Sequence, residues 1–152
     1  MRDRGSIPPE KRSKFIISIY LIYIKNGKVL LIRRFNTGYC DGKYSLPAGH
    51  LDEHESLTVA VSREVKEEVG FSTKPEDFKV AHIMHRKELD ERLDVFFTAK
   101  NIKGEPINKE PHLCDDVKWF PVNKLPENII PYIKIAIANF LKGEIYSEIG
   151  WR

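Results

Sequence analysis

The sequence predicts an α+β fold in which a β-sheet lies between helices, and three observations predict it. The segment from about Lys14 to Ile24 is apolar at both parities, with Phe15, Ile17, Ile19 and Leu21 on one and Ile16, Tyr20 and Ile22 on the other. A strand of that pattern is covered on both faces. Asn26-Gly27 then separates it from a second apolar run, Val29 to Ile32, which is the strongest short-range signal for a hairpin. Two further stretches, 55–69 and 131–141, carry helical rather than alternating periodicity.

Taken in order, residues 1–13 read as a flexible arm, with Pro8-Pro9 and mixed charge. Residues 14–152 read as a single domain. After the hairpin, residues 35–43 form a polar, glycine-containing loop, followed by Tyr44-Ser45-Leu46 and a turn at Pro47-Ala48-Gly49. A helix runs from Glu55 or Ser56 to Val69, with Gly70 in the place of a C-terminal cap. Two strands follow, roughly Lys79–Lys87 and Arg92–Lys100, joined through the polar 88–91 segment. A polar loop over 101–116 leads to a short strand at Val117–Val122. The last helix has Pro131 near its start and Gly143 just past its end. Its apolar stripe is Ile133, Ala136, Ile137, Phe140 and Leu141.

Composition narrows the function classes. The 152 residues are 41% hydrophobic and 31% charged, which excludes a disordered tail or a low-complexity array. With 25 basic against 22 acidic residues the net charge is +3, too near balance to imply a stable nucleic-acid or membrane partner. The basic start followed by the apolar run at 15–24 mimics a signal peptide. No small-residue cleavage site follows, however, and ten residues are too few to span a bilayer. Cys40 and Cys114 make neither a disulfide framework nor a four-thiolate zinc site. They fit a reducing cytoplasm and leave one bridge open.

The chemistry concentrates in 49–71, GHLDEHESLTVAVSREVKEEVGF. On a helical wheel with Glu64 at zero, Leu57, Val61, Val65 and Val69 fall between ~20° and ~140° and define the buried stripe. Glu68 falls at ~40°, inside that stripe, while Glu64 lies at its margin and Glu67 at ~300°. Solvated glutamates belong opposite an apolar stripe. A carboxylate partly removed from water, with another one turn away, needs a positive partner. Arg63 and Lys66 point elsewhere, at ~260° and ~200°. A divalent cation held by two or three carboxylate oxygens is the economical partner. Gly49 is the natural place for a close backbone approach, and it would let the Ala48 carbonyl supply a neutral oxygen.

Gly49, Glu55, Arg63-Glu64-Val65, Glu67-Glu68 and Gly70-Phe71 together resemble the Nudix box, with every fixed position matched over 23 residues. The resemblance implies a MutT-like Nudix hydrolase with an α/β/α sandwich around a mixed β-sheet. It also implies hydrolysis of a nucleoside diphosphate derivative, using Mg²⁺ with Mn²⁺ as a substitute. Carried over, Glu64, Glu67 and Glu68 would be metal ligands and the Ala48 carbonyl a further one. Glu64 would also serve as general base in MutT-like members, a point on which the family varies. Glu55 and Arg63 would hold the loop against the helix as an ion pair. The segment from Gly104 to Glu110 resembles a MutT segment whose last glutamate joins the metal site, making Glu110 a further candidate. His54 and Asp52 stand where glycine and glutamate are common, and Ala48 replaces the first glycine of the usual pair. His50 and His54, without nearby thiolates, read as solvent-exposed rather than as zinc ligands.

The box does not specify what is attached to the diphosphate. Phe35, Tyr39, Tyr44, Trp119 and Phe120 are candidates for stacking on a base, and Asn36 or Asn123 for reading its edge. The leading expectation is a (deoxy)nucleoside triphosphate pyrophosphohydrolase releasing the monophosphate and pyrophosphate. ADP-ribose or other sugar nucleotides, dinucleoside polyphosphates, RNA 5′ ends and a non-catalytic nucleotide-sensing module are the alternatives. A nucleotide is the expected partner, a monomer or homodimer the expected assembly, and the cytoplasm the expected location.

Overall fold

The computed structural model describes residues 8–151. Residues 1–7 of the expected arm lie outside the described residues, and 8–13 are exposed, with one 3-10 turn at Pro9–Lys11. The strands are β1 (Ile16–Leu21), β2 (Ile24–Lys25), β3 (Lys28–Arg34), β4 (Tyr44–Ser45) and β5 (Ala48–His50), then β6 (Phe78–Lys87), β7 (Glu91–Ala99), β8 (Cys114–Pro121) and β9 (Tyr146–Ile149). The helices are α1 (Leu57–Val69) and α2 (Pro131–Leu141). No described helix is long and apolar enough to cross a membrane.

A mixed five-stranded sheet runs in the order β5-β1-β7-β6-β9, with β1–β7 and β6–β9 parallel and the other pairs antiparallel. The two parities of β1 separate as their patterning predicts. Ile19 and Leu21 pack with Val61, Val65 and Val69 of α1, whereas Tyr20 and Ile22 pack with Ile133, Ala136 and Ile137 of α2. The helices therefore cover opposite faces, and the α+β sandwich follows.

The expected strand over 14–24 divides. Ile22 still donates its N–H to Phe97 of β7, but the carbonyl of Tyr23 already accepts from Leu30 of β3. From there the chain belongs to a second, antiparallel sheet of β2, β3, β4 and β8. The Asn26-Gly27 hairpin is present, pairing Ile24 with Val29 and Lys25 with Lys28. Leu141 leaves the buried stripe and is half exposed, so the apolar face of α2 ends at Phe140. Strand β9 was not expected. His82, buried on β6, ties it down through the Glu144 carbonyl and Ser147 Oγ, each at 2.8 Å.

Helix α1 begins where Ser56 Oγ accepts the Val59 N–H and ends at Gly70, whose φ of +76° permits the left-handed cap. The absent side chain matters a second time there, because a Cβ would lie 2.9 Å from Ile107 Cγ1. Residues 107–109 use that space to satisfy the helix's last carbonyls, Ile107 N–H on Val69 and Lys109 N–H on Glu68, both at 3.0 Å. This docking carries Glu110 toward the helix's acidic face.

One charged pair is buried inside the sandwich. Arg86 Nε donates to Asp94 Oδ2 at 2.7 Å, and the two side chains are 2% and 0% exposed. The Arg86 guanidinium stacks 3.7 Å from the Tyr132 ring centroid, and Tyr20 donates its hydroxyl to Asp94 at 3.2 Å. Removing one partner strands the other's charge in low dielectric. Asp94→Ala is expected to lower unfolding free energy in urea by about 3–5 kcal/mol. Asp94→Leu combined with Arg86→Met should lose less than Asp94→Ala alone.

Candidate active site

Strand β5 brings its backbone against α1 so closely that residue 49 can carry no side chain. A Cβ on Gly49 would sit 2.0 Å from Glu64 Cδ and 2.2 Å from its Oε1. Leu21 donates its N–H to the Pro47 carbonyl across the β1–β5 ladder. The intervening residue, Ala48, therefore turns its backbone polar groups the other way. Its N–H reaches Glu68 Oε2 at 3.0 Å. In an antiparallel ladder one residue's N–H and C=O leave the strand on the same side, so the Ala48 carbonyl, like its N–H, leaves β5 on the side away from β1.

Arg63 organises the acidic side chains. Its Nη2 and Nε bind Glu55 Oε1 and Oε2 at 2.7 and 3.1 Å, and its Nη1 binds Glu64 Oε1 at 2.8 Å. It also reaches the His50 carbonyl at 3.3 Å, Asp52 at 3.3 Å and Glu67 at 3.4 Å. The expectation that Arg63 points away from the carboxylates is corrected here. The wheel places its Cα, but the long stem folds back across the helix surface. Glu68 is not among its partners.

Glu64, Glu67, Glu68 and Glu110 line one lobe of a cleft together with Ala48 and Gly49; the lobe has a volume of about 530 Å³. Glu67 is exposed and Glu68 half-buried. Among the described residues no three His, Cys, Asp or Glu side chains already stand as a metal cage, since Glu64 is turned to Arg63 and Glu68 to the Ala48 N–H. Mg²⁺ commonly takes one or two carboxylates and completes its shell with water and phosphate. The donors present, carboxylate and carbonyl oxygens, suit it. Cys114 also lines the lobe, and burial raises its thiol pKa, which makes it a poor thiolate.

Sequence reasoning missed the residue that joins this lobe to the rest of the cleft. Arg34, at the end of β3, lines both the acidic lobe and a second lobe of about 350 Å³ walled by Tyr20, Tyr39 and Tyr132. Its Nε donates to the Tyr39 carbonyl at 2.6 Å and its Nη2 to Thr37 Oγ1 at 3.0 Å. Asp41 holds the same loop by accepting the Thr37 and Gly38 N–H groups. One of two adjacent arginines ending an apolar strand carries no signal of its own in sequence.

The expected base-contacting residues scatter. Tyr39 lines the second lobe and Asn36 the acidic one. Tyr44 is instead a core residue, its ring edge-on to Phe120 at 4.9 Å and its hydroxyl donated to Asp116. Burial pushes its pKa up to about 12. Asn123 is exposed in the turn after β8, and Trp119 packs on Tyr23; neither lines a lobe, nor does Phe35. His54 is exposed with φ of +62°, the left-handed region that glycine adopts more freely. The loop thus keeps the glycine-type conformation with a histidine in it. His50 is exposed at the junction of the lobes.

Burial raises the pKa of Glu64, opposed by Arg63. Burial also raises Glu68 well above the usual carboxylate range, opposed by the Ala48 N–H and reinforced by Glu64 and Glu110. A carboxyl whose folded pKa exceeds its unfolded value loses stability as pH rises from the ordinary value, about 4.3, through the raised one. In chelator at neutral pH, Glu68→Gln should therefore melt above the wild type. That difference should vanish as the pH falls toward about 4, as read by melts across a pH series.

Known proteins resemble this chain in sequence and in fold. The chain is 30% identical over 106 residues to the NAD-capped RNA hydrolase NudC of Stutzerimonas stutzeri, covering 70% of this chain and 37% of that protein. It is 28% identical over 98 residues to the 8-oxo-dGTP diphosphatase of Escherichia coli, covering 64% and 74%. The chain spans less than half the length of several curated relatives that it matches. The crystal structure of a MutT NUDIX hydrolase from Burkholderia pseudomallei superposes with a TM-score of 0.75 at 23% identity, covering 83% of this chain and 98% of that one. The model of the NUDIX domain matches residues 14–140, from the entry into β1 to the end of the buried face of α2, and the chain belongs to the Nudix hydrolase family.

Proposed function

We propose that residues 14–152 form a single Mg²⁺-dependent pyrophosphohydrolase domain, with Mn²⁺ as a substitute, that takes a (deoxy)nucleoside triphosphate to its monophosphate and pyrophosphate. The observation that carries this reading is the convergence of Glu64, Glu67, Glu68 and Glu110 with the Ala48 edge on one lobe, beside Arg34. Glu64, Glu67 and Glu68 would hold the cation, with the Ala48 carbonyl and Glu110 as further oxygens. When bound, the cation lowers the pKa of its water and neutralises charge on phosphate oxygens.

The protein's own groups do the rest. Among the described residues Arg34 is the one arginine or lysine lining the acidic lobe, so it supplies positive charge for a phosphate crossing between the lobes. Glu64, raised by burial and steadied by Arg63, is suited to accept a proton from the attacking water. Glu55 acts through Arg63 as a positioning residue. Water adds to one of the two phosphorus atoms of the α–β linkage, giving up its proton, and the bridging P–O bond breaks, its oxygen leaving with the electron pair on the departing phosphate.

Glu64→Gln and Glu68→Gln should each lower Mg²⁺-dependent kcat by about 10²–10⁴-fold with circular dichroism unchanged. Undiminished kcat in both would remove the mechanism. Glu110→Gln should cost about 10–100-fold, the scale of a supporting contact to a metal site. A panel of canonical and oxidised nucleoside triphosphates, ADP-ribose, dinucleoside polyphosphates and NAD-capped RNA, ranked by kcat/KM, tests the substrate. Highest efficiency on a triphosphate supports the reading, and preference for another arm reassigns it. Metal binding without turnover on any arm would instead favour a nucleotide sensor.

A further inference from the structure

The second lobe of the cleft contains a hydroxyl with nothing to bond. Ser18, on β1, is 4% exposed and lines this lobe. Among the described residues, its Oγ is the one buried side-chain polar atom without a hydrogen-bond partner. A serine hydroxyl both donates and accepts, and leaving it buried and unpaired is unfavourable. Neighbouring polar groups are already committed. The Tyr20 hydroxyl donates to Asp94 at 3.2 Å and lies 3.1 Å from the Tyr132 hydroxyl. Asp94 is in turn gripped by Arg86. Tyr20 and Tyr132, which line the lobe, are thus tied into a polar network with Asp94 and Arg86 that does not include the Ser18 hydroxyl.

The lip is an aromatic wall. Tyr39 is 45% exposed, its carbonyl held by Arg34 Nε and its ring centroid 5.4 Å from the Arg34 guanidinium. Arg34, Thr37, Ala48, Gly49 and His50 border both lobes. Arg92 also lines the second lobe, its guanidinium paired with Asp90. A ligand with its phosphates in the acidic lobe would pass Arg34 and place its other end beside Tyr39 and Ser18.

We propose that the tyrosine-walled lobe receives the nucleoside of the substrate, and that Ser18 is a specificity-determining residue whose hydroxyl pairs with a polar edge of that nucleoside while Tyr39 stacks on it. The proposal rests on the reading of the acidic lobe as the phosphate end. The edge belongs either to the base or to a ribose hydroxyl, and the two sources are distinguishable.

Calorimetric binding tests this without turnover, using ribo- and deoxynucleoside monophosphates of each base, with pyrophosphate as the probe of the acidic lobe. Ser18→Ala should weaken the preferred monophosphate about tenfold. It should leave pyrophosphate affinity unchanged and the melting temperature equal to or above wild type, because an unpaired hydroxyl adds nothing to the fold. Tyr39→Leu, at the exposed lip, should weaken the same ligand without loss of stability. Collapse of the ribo/deoxy difference in Ser18→Ala would assign the contact to the sugar, and collapse of the difference between bases would assign it to the base. Unchanged monophosphate affinity in Ser18→Ala would overturn the assignment. So would a wild-type protein that binds no monophosphate, or a loss of affinity accompanied by a lower melting temperature. Monophosphate binding that depends on Ser18 in a protein hydrolysing no nucleotide would sink the proposed reaction and leave this assignment standing.

Discussion

The structure depends on how closely the β5 backbone approaches the acidic face of α1. Gly49 leaves room for the Glu64 side chain where a methyl group would overlap it, and the Ala48 N–H meets the Glu68 carboxylate. This contact pulls two carboxylates out of water while leaving their remaining oxygens facing a cleft. Arg63 offsets this at Glu64, whereas Glu68 meets the Ala48 N–H, and burial disfavours its charged form. The same contact fixes the loop after β5, because Arg63 can bridge Glu55, Glu64 and the His50 carbonyl only when strand and helix are in register.

A second set of polar groups serves the other end of the cleft. Buried ion pairs are poor stabilisers against well-packed apolar side chains, so the Arg86–Asp94 pair is better understood through what it holds. It anchors the Tyr20 hydroxyl directly and the Tyr132 ring by stacking. Both side chains wall the second lobe. Each end of the cleft therefore has an arginine that orders its neighbours, Arg63 among the glutamates and Arg86 beneath the tyrosines. Arg34 stands between them with its guanidinium committed to the 36–41 loop.

Some of this was legible in residue order and some was not. The hairpin at Asn26-Gly27, the Ser56 and Gly70 caps and the opposite coverage of β1 follow from local rules of turn chemistry, capping and parity. The phase of Glu68 inside the Val61–Val65–Val69 stripe is of the same kind. The split of the 14–24 run between two sheets was not legible, because apolar residues at both parities suit either sheet. Strand β9 was hidden for a related reason: it is a four-residue edge held by His82 from 62 to 65 positions away. Tyr44 reads in sequence as a candidate for stacking on a base, and its contacts with Asp116 and Phe120 of β8 appear only in the fold.

The sequence by itself determined the local elements, the identity of the acidic helix and the family's signature spacing, since each arises from residues within a few turns of one another. Only the tertiary structure decided where Arg63 reaches, which tyrosines become walls, and that the Ser18 hydroxyl has no partner among the described residues. Those outcomes depend on side chains that meet across the fold, and distances between strands far apart in the chain are set by packing rather than by periodicity.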